Sequence, residues 1–146
     1  MSQSSLNPSM RAVVVDALAP SAKAAGTHET AAINMGKFAN IQIIGNVGAF
    51  GSGASGTLKF QQSQTSAFTT SKDIDGRLAV DLVESKPAVI DLSQGELDIN
   101  NGYAFVRGVL TATGGTVTAG LTVQGFDARH APAEPMTGTV VDTRAS

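Results

Sequence analysis

Few side chains in this sequence are of a type and spacing that could do chemistry. His28 and His130 are the only histidines, and histidine is the side chain that ordinarily titrates near neutral pH. Neither lies in a recognisable catalytic pattern: the chain has no Gly-x-Ser-x-Gly elbow, no His-Glu-x-x-His and no Gly-Lys-Ser/Thr phosphate loop. Gly51-Ser52-Gly53-Ala54-Ser55-Gly56 spells the letters of a dinucleotide fingerprint, but that fingerprint needs a helix N-terminus next to meet the pyrophosphate. Here Thr57–Gln62 alternates as a strand, so the stretch reads as a glycine-rich loop. Asp73-Ile74-Asp75-Gly76 is a fragment of a calcium loop without the remaining oxygen ligands or the closing glutamate, and reads as a solvated turn. The expectation is a protein that is not an enzyme, with no catalytic residue, no metal and no cofactor.

One constellation points instead to contact between macromolecules. Arg107 stands between Phe105 and Val109, with Tyr103 just before and Phe126 further on. Aromatic residues and arginine are enriched where proteins meet, so Tyr103, Phe105, Arg107 and Phe126 are the candidate interface residues. The alternative for Arg107 is a solvated strand position whose stem covers its neighbours.

The element expected to position these residues is a long β-hairpin over 102–126, turning at Gly114-Gly115, since two-residue hairpin loops favour glycine. That register sets Ala112 against Val117, Leu110 against Ala119, Gly108 against Leu121 and Val106 against Val123, an apolar face for a core. The other face carries Tyr103, Phe105, Arg107, Val109 and Thr111 opposite Thr118, Gly120, Thr122, Gln124 and Phe126. A one-residue slip would expose the apolar set, so burial helps to fix the register.

The rest of the chain is strand-like as well. Strands are expected at 10–18, 30–35, 38–45, 57–62, 78–83 and 88–92, with a soft loop at 19–29 that includes a helical turn near 21–25. A flexible glycine-rich connection is expected at 46–56. A polar loop at 63–76 is anchored by Phe68 and Ile74, and a helical turn falls near 96–99. High glycine, few aromatics, recurrent Thr and Val, and no amphipathic helix of three turns indicate an all-β fold, a β-sandwich or jelly-roll-like barrel. The expected organisation is an N-terminal arm at 1–9, a sandwich domain at 10–132 and a C-terminal arm at 133–146.

Ten basic and twelve acidic residues give a net charge of −2 without a basic cluster, which leaves no nucleic-acid footprint. There is no cysteine, so no disulfide framework, which fits assembly inside a cell. No apolar run approaches the roughly 20 residues of a membrane span, and the first residues lack the basic start and apolar core of a signal peptide.

The run Leu97-Asp98-Ile99-Asn100-Asn101-Gly102-Tyr103-Ala104-Phe105-Val106-Arg107, closing on Gly125-Phe126-Asp127-Ala128-Arg129-His130-Ala131-Pro132, resembles small virion proteins of tailed bacteriophages that cement or decorate the head. In that group an acidic-leucine turn precedes a Tyr-x-x-Val-Arg strand and the domain ends shortly before a proline. Thr57–Ser63 is similar to the strand those proteins carry before a polar loop. The likeness spans roughly residues 30–132; Phe68 stands where a tryptophan is common, and the glycine-rich 46–56 stretch departs from the pattern. The resemblance implies a virion structural protein made in the host cytoplasm. It would sit on the outer capsid surface as a homotrimer and bridge neighbouring copies of the major capsid protein. Two alternatives stay open on the residues: a carbohydrate-binding or receptor-binding β-sandwich module, and a tail or neck component.

Overall fold

A computed structural model describes residues 12–74 and 79–128 of the chain. Ten strands account for most of it: β1 (Ala12–Lys23), β2 (Gly26–Glu29), β3 (Ile33–Asn34), β4 (Phe38–Phe50), β5 (Ser55–Ser63), β6 (Lys72–Asp73), β7 (Val80–Asp81), β8 (Ala88–Ser93), β9 (Phe105–Thr113) and β10 (Val117–Ala128). Short 3-10 turns lie at Met35–Lys37, Gln94–Glu96 and Ile99–Asn101. All strand pairs are antiparallel. One sheet has the order β1-β10-β4-β8; in the other, β9 lies between β5 and the short β2 and β3, while β6 and β7 pair with the far side of β5. The expected all-β, sandwich-like fold is what the described residues form.

The inward faces of the two sheets make one core. Ile41, Ile43, Leu121 and Val123 come from the four-stranded sheet and Leu58, Phe60, Val106 and Leu110 from the other, all buried. The sheets interlock where one side supplies no side chain: a Cβ at Gly108 would lie 3.0 Å from Ile43 Cδ1, and one at Gly45 would lie 3.2 Å from Leu58 Cδ2. Removing that much apolar surface from water, at about 25 cal/mol per Å2, is the main term favouring the fold.

The hairpin expectation is corrected. β9 and β10 do not pair; they belong to different sheets, and the chain crosses the sandwich at Gly114-Gly115. A two-residue type I′ hairpin needs positive φ at both central residues, yet of the two only Gly114 has it, at +75°. Each strand finds two partners elsewhere: β9 lies between β5 and the β2/β3 side, and β10 between β1 and β4. The inward positions Val106, Gly108, Leu110, Ala112, Val117, Ala119, Leu121 and Val123 are buried as expected. They meet across the core and not side by side.

Two further expectations change for related reasons. The glycine-rich 46–56 stretch is no long flexible connection: β4 continues to Phe50, β5 resumes at Ser55, and only 51–54 turn. This is a second crossing between sheets, stacked on the first. Gly51 N–H donates to Thr116 O at 2.7 Å, and Ala54 N–H to Gly51 O at 3.0 Å. The 19–29 loop is likewise strand, without a helical turn, since β1 runs on through Pro20 to Lys23. Proline is tolerated because β1 is an edge strand and breaks register between Leu18 and Ser21. An earlier break, between Val14 and Asp16, turns Asp16 inward opposite Val123. Its buried carboxylate accepts hydrogen bonds from Ala17 N (2.8 Å) and Ala31 N (2.7 Å), tying β1 to the segment between β2 and β3. The boundaries expected for the two arms, 1–9 and 133–146, lie outside the described residues.

Candidate interaction surface

The two outer faces of the sandwich differ in chemistry. On the six-stranded sheet the outward side chain of Arg107 is held from three sides. Its Nε and Nη2 donate to Gln61 Oε1 at 3.2 and 3.0 Å, and its Nη1 lies 2.7 Å from Glu29 Oε2. The guanidinium also sits 4.3 Å from the centre of the Phe68 ring. β2 and β5 flank β9, and so bring Glu29 and Gln61 to it. Phe68 reaches it from the 63–76 loop with φ of +56°, a conformation that costs a bulky residue energy and persists only where contacts hold it. The expected anchors are both seen: Ile74 is buried and Phe68 half-buried.

Tyr103 is engaged in a similar way. Lys72 Nζ lies 4.2 Å from the centre of its ring and 2.5 Å from Asp98 Oδ2. The hydrogen bond from Lys72, reinforced by those from Asn101, lowers the Asp98 pKa from its ordinary value of 3.8 against a smaller opposing effect of burial. Beneath them the buried Gln62 accepts from Asp98 N at 2.9 Å and donates to Asp73 O at 3.2 Å. Lys59 and Asp73 form a further ion pair at 2.8 Å. This face spends its charges on itself. Phe105 lies between Asn34 and Ser63 in register and is half-buried.

Phe126 is elsewhere. It points outward from the four-stranded sheet, because β9 and β10 lie in opposite sheets, so the four candidate interface residues do not form one surface. Three cross-strand rows define the face it belongs to: Ala12–Phe126–Asn40–Ser93, Val14–Gln124–Gln42–Asp91 and Ala17–Thr122–Ile44–Val89. Asp91 is the one charged residue in those rows, and it accepts a hydrogen bond from Gln42 Nε2 at 2.8 Å. A groove of about 420 Å3 opens here, with Asn40, Gln42, Asp91, Ser93 and Phe126 in its lining. Depletion of charge together with an aromatic residue is a feature of interface cores.

The sequence reading missed Val14, Ile44 and Val89. A signal was present: in Ile41-Gln42-Ile43-Ile44 and Val89-Ile90 apolar residues occupy both faces of a strand, which marks a sheet covered on both sides.

The remaining chemical candidates are spread out. The glycine-rich 51–54 turn leads into β5, a strand, so no helix stands ready for a phosphate. Asp73 is paired with Lys59, and 75–76 lie outside the described residues. His28 Nε2 lies 2.9 Å from Ala24 O on the surface; His130 lies outside the described residues. Among the described residues no three His, Asp or Glu side chains converge as a metal site would require, and no helix is long and apolar enough to cross a membrane. Compared with known protein families, curated proteins and solved structures, the chain matches none.

Proposed function

We propose that the chain is a non-enzymatic structural protein of a tailed-phage virion that attaches to the outer surface of the head and cements neighbouring capsomers as a homotrimer. The observation that carries an attachment role is the charge-poor outer face of the four-stranded sheet, which includes Phe126, Ile44 and Val89. The virion setting rests on the resemblance of 97–107, 125–132 and 57–63 to head-decoration proteins. Geometry adds one support: β1 begins at Ala12 beside Phe126, and β10 ends at Ala128. In this proposal the arms expected at 1–9 and 133–146 extend the contact to adjoining subunits.

A carbohydrate-binding module would need an open aromatic face to stack under a sugar. The sequence has no tryptophan and one tyrosine, and the Lys72 ammonium already sits over the Tyr103 ring.

Light scattering on the purified chain and co-sedimentation with heads assembled without it test the proposal. A trimer that saturates heads at a fixed ratio is the expected result. A monomer that stays in the supernatant would overturn it and return a tail, neck or glycan partner to the front.

A further inference from the structure

The four-stranded sheet has two edges, and they are built differently. β1 meets β10 through two register breaks and carries Pro20, features that blunt an edge against further pairing. β8 meets β4 in six consecutive pairs, from Asn40–Ser93 to Gly45–Ala88, without a break. It contains no proline and no lysine, and among the described residues no strand lies on its other side. An antiparallel strand turns its backbone N–H and C=O groups alternately to its two neighbours. Half of those of β8 therefore face outward, and among the β8 amides that of Ser93 is already bonded, to Glu96 Oε2 at 3.1 Å.

The same side of the sandwich is apolar and acidic. Val80, Val83 and Val89 are 37%, 53% and 52% exposed, three of the four exposed large hydrophobic residues among those described. Residues 79–96 include Asp81, Glu84, Asp91 and Glu96 against Lys86 alone. Two of these acids take neutral donors: Glu84 accepts from Phe50 N at 2.8 Å and Asp91 from Gln42 Nε2 at 2.8 Å. Among the described residues no ion pair is formed by either.

We propose that the β8 edge accepts, by strand addition, an extended segment of another polypeptide whose outward-facing positions, every second residue, carry apolar and basic groups in turn. Ladder hydrogen bonds along 88–93 supply affinity. Val89 and Asp91 share the outward face of β8, so an apolar side chain of the added strand lies beside Val89 and a basic group two residues along meets Asp91. A second copy of this chain is the poorer occupant, since β8 against β8 would bring two acidic edges together, and like charges in close register repel. This inference deepens the attachment role by naming its edge and the chemistry of the partner segment.

The test titrates the full chain with a peptide of about eight residues in which valine and lysine take turns at every second position with threonine between them, and with its valine–glutamate counterpart, following backbone amides by NMR and hydrogen exchange. The expected result is saturable binding of the lysine peptide with slowed exchange confined to 88–93, about tenfold weaker for the glutamate peptide. Val89→Lys should weaken the lysine peptide by about tenfold, whereas Thr118→Lys, an exposed position on β10, should leave it unchanged. Several outcomes would overturn the proposal: no saturation at millimolar peptide, protection elsewhere, equal affinity for both peptides, or self-association that protects 88–93 without peptide. Failure here with head binding intact removes the edge alone. Loss of head binding by the unaltered chain removes the attachment role and leaves the peptide result standing.

Discussion

Arg107 shows how one residue can satisfy two readings in sequence and only one set of contacts in space. An arginine close to aromatic residues on a strand looks like an interface anchor. Folded, its fork is divided between Gln61 and Glu29 and its plane lies on Phe68. Glu29 and Phe68 come from elements far from it in the chain, so nothing near position 107 reveals them. Arg107→Ala should lower stability by about 1–2 kcal/mol in urea unfolding, since a partly exposed charged hydrogen-bond set is worth less than a buried one. Arg107→Lys should recover little, because a point charge cannot reproduce the fork. Asp98 gives a pH-dependent counterpart. Its folded pKa lies below 3.8, chiefly through the Lys72 hydrogen bond, so its contribution is complete above about pH 4 and is lost as the pH falls through the folded value. Asp98→Asn should therefore make the fall in stability below pH 4 shallower, as followed by thermal unfolding across an acid series.

At the scale of elements, alternation proved a reliable guide to which way a side chain points and no guide to which strand lies beside it. Val106, Leu110, Val117 and Leu121 face the core as their period of two requires, and that would hold for a hairpin and for a crossing alike. What separates the two is backbone conformation at 114–115 and the availability of long partners at β4 and β1, which is non-local information. The Gly-rich stretch at 46–56 looked like a flexible connection and 114–115 like a hairpin turn, whereas together they form two stacked crossings. A Cβ at Gly114 would stand 2.6 Å from Gly53 O at a φ of +75°. Gly114→Val should thus lower stability by about 2 kcal/mol or more, through strain and backbone displacement together. The pairing itself is checked by NMR: close Cα–Cα proton contacts are expected across the pairs that bring β10 to β4 and β5 to β9, and none between β9 and β10. Contacts of Leu121 with Gly108 as direct strand neighbours would restore the hairpin.

For the whole molecule the decisive property is the asymmetry between its two outer faces. Most of the fold class was legible, because strand patterns, turn residues and the lack of helical periodicity are local. The surface proposed for attachment was not, because it is assembled from rows that cross four strands far apart in sequence. The two faces make opposite predictions under mutation. Ala17→Lys with Ile44→Lys places two charges, separated by a strand, in a row of the four-stranded sheet whose side chains point outward, so the thermal midpoint should move little. Head binding, however, should weaken by about tenfold or more, since charge near the middle of an interface core is poorly tolerated. Arg107→Ala should do the reverse, lowering the midpoint while leaving the saturation ratio on heads intact at temperatures where the variant stays folded. Measuring both quantities on both variants tests the assignment. If Arg107→Ala abolishes head binding and the double lysine variant does not, the docking face is the one carrying Tyr103, Phe105 and Arg107, with the paired charges there opening to a partner at the moment of contact.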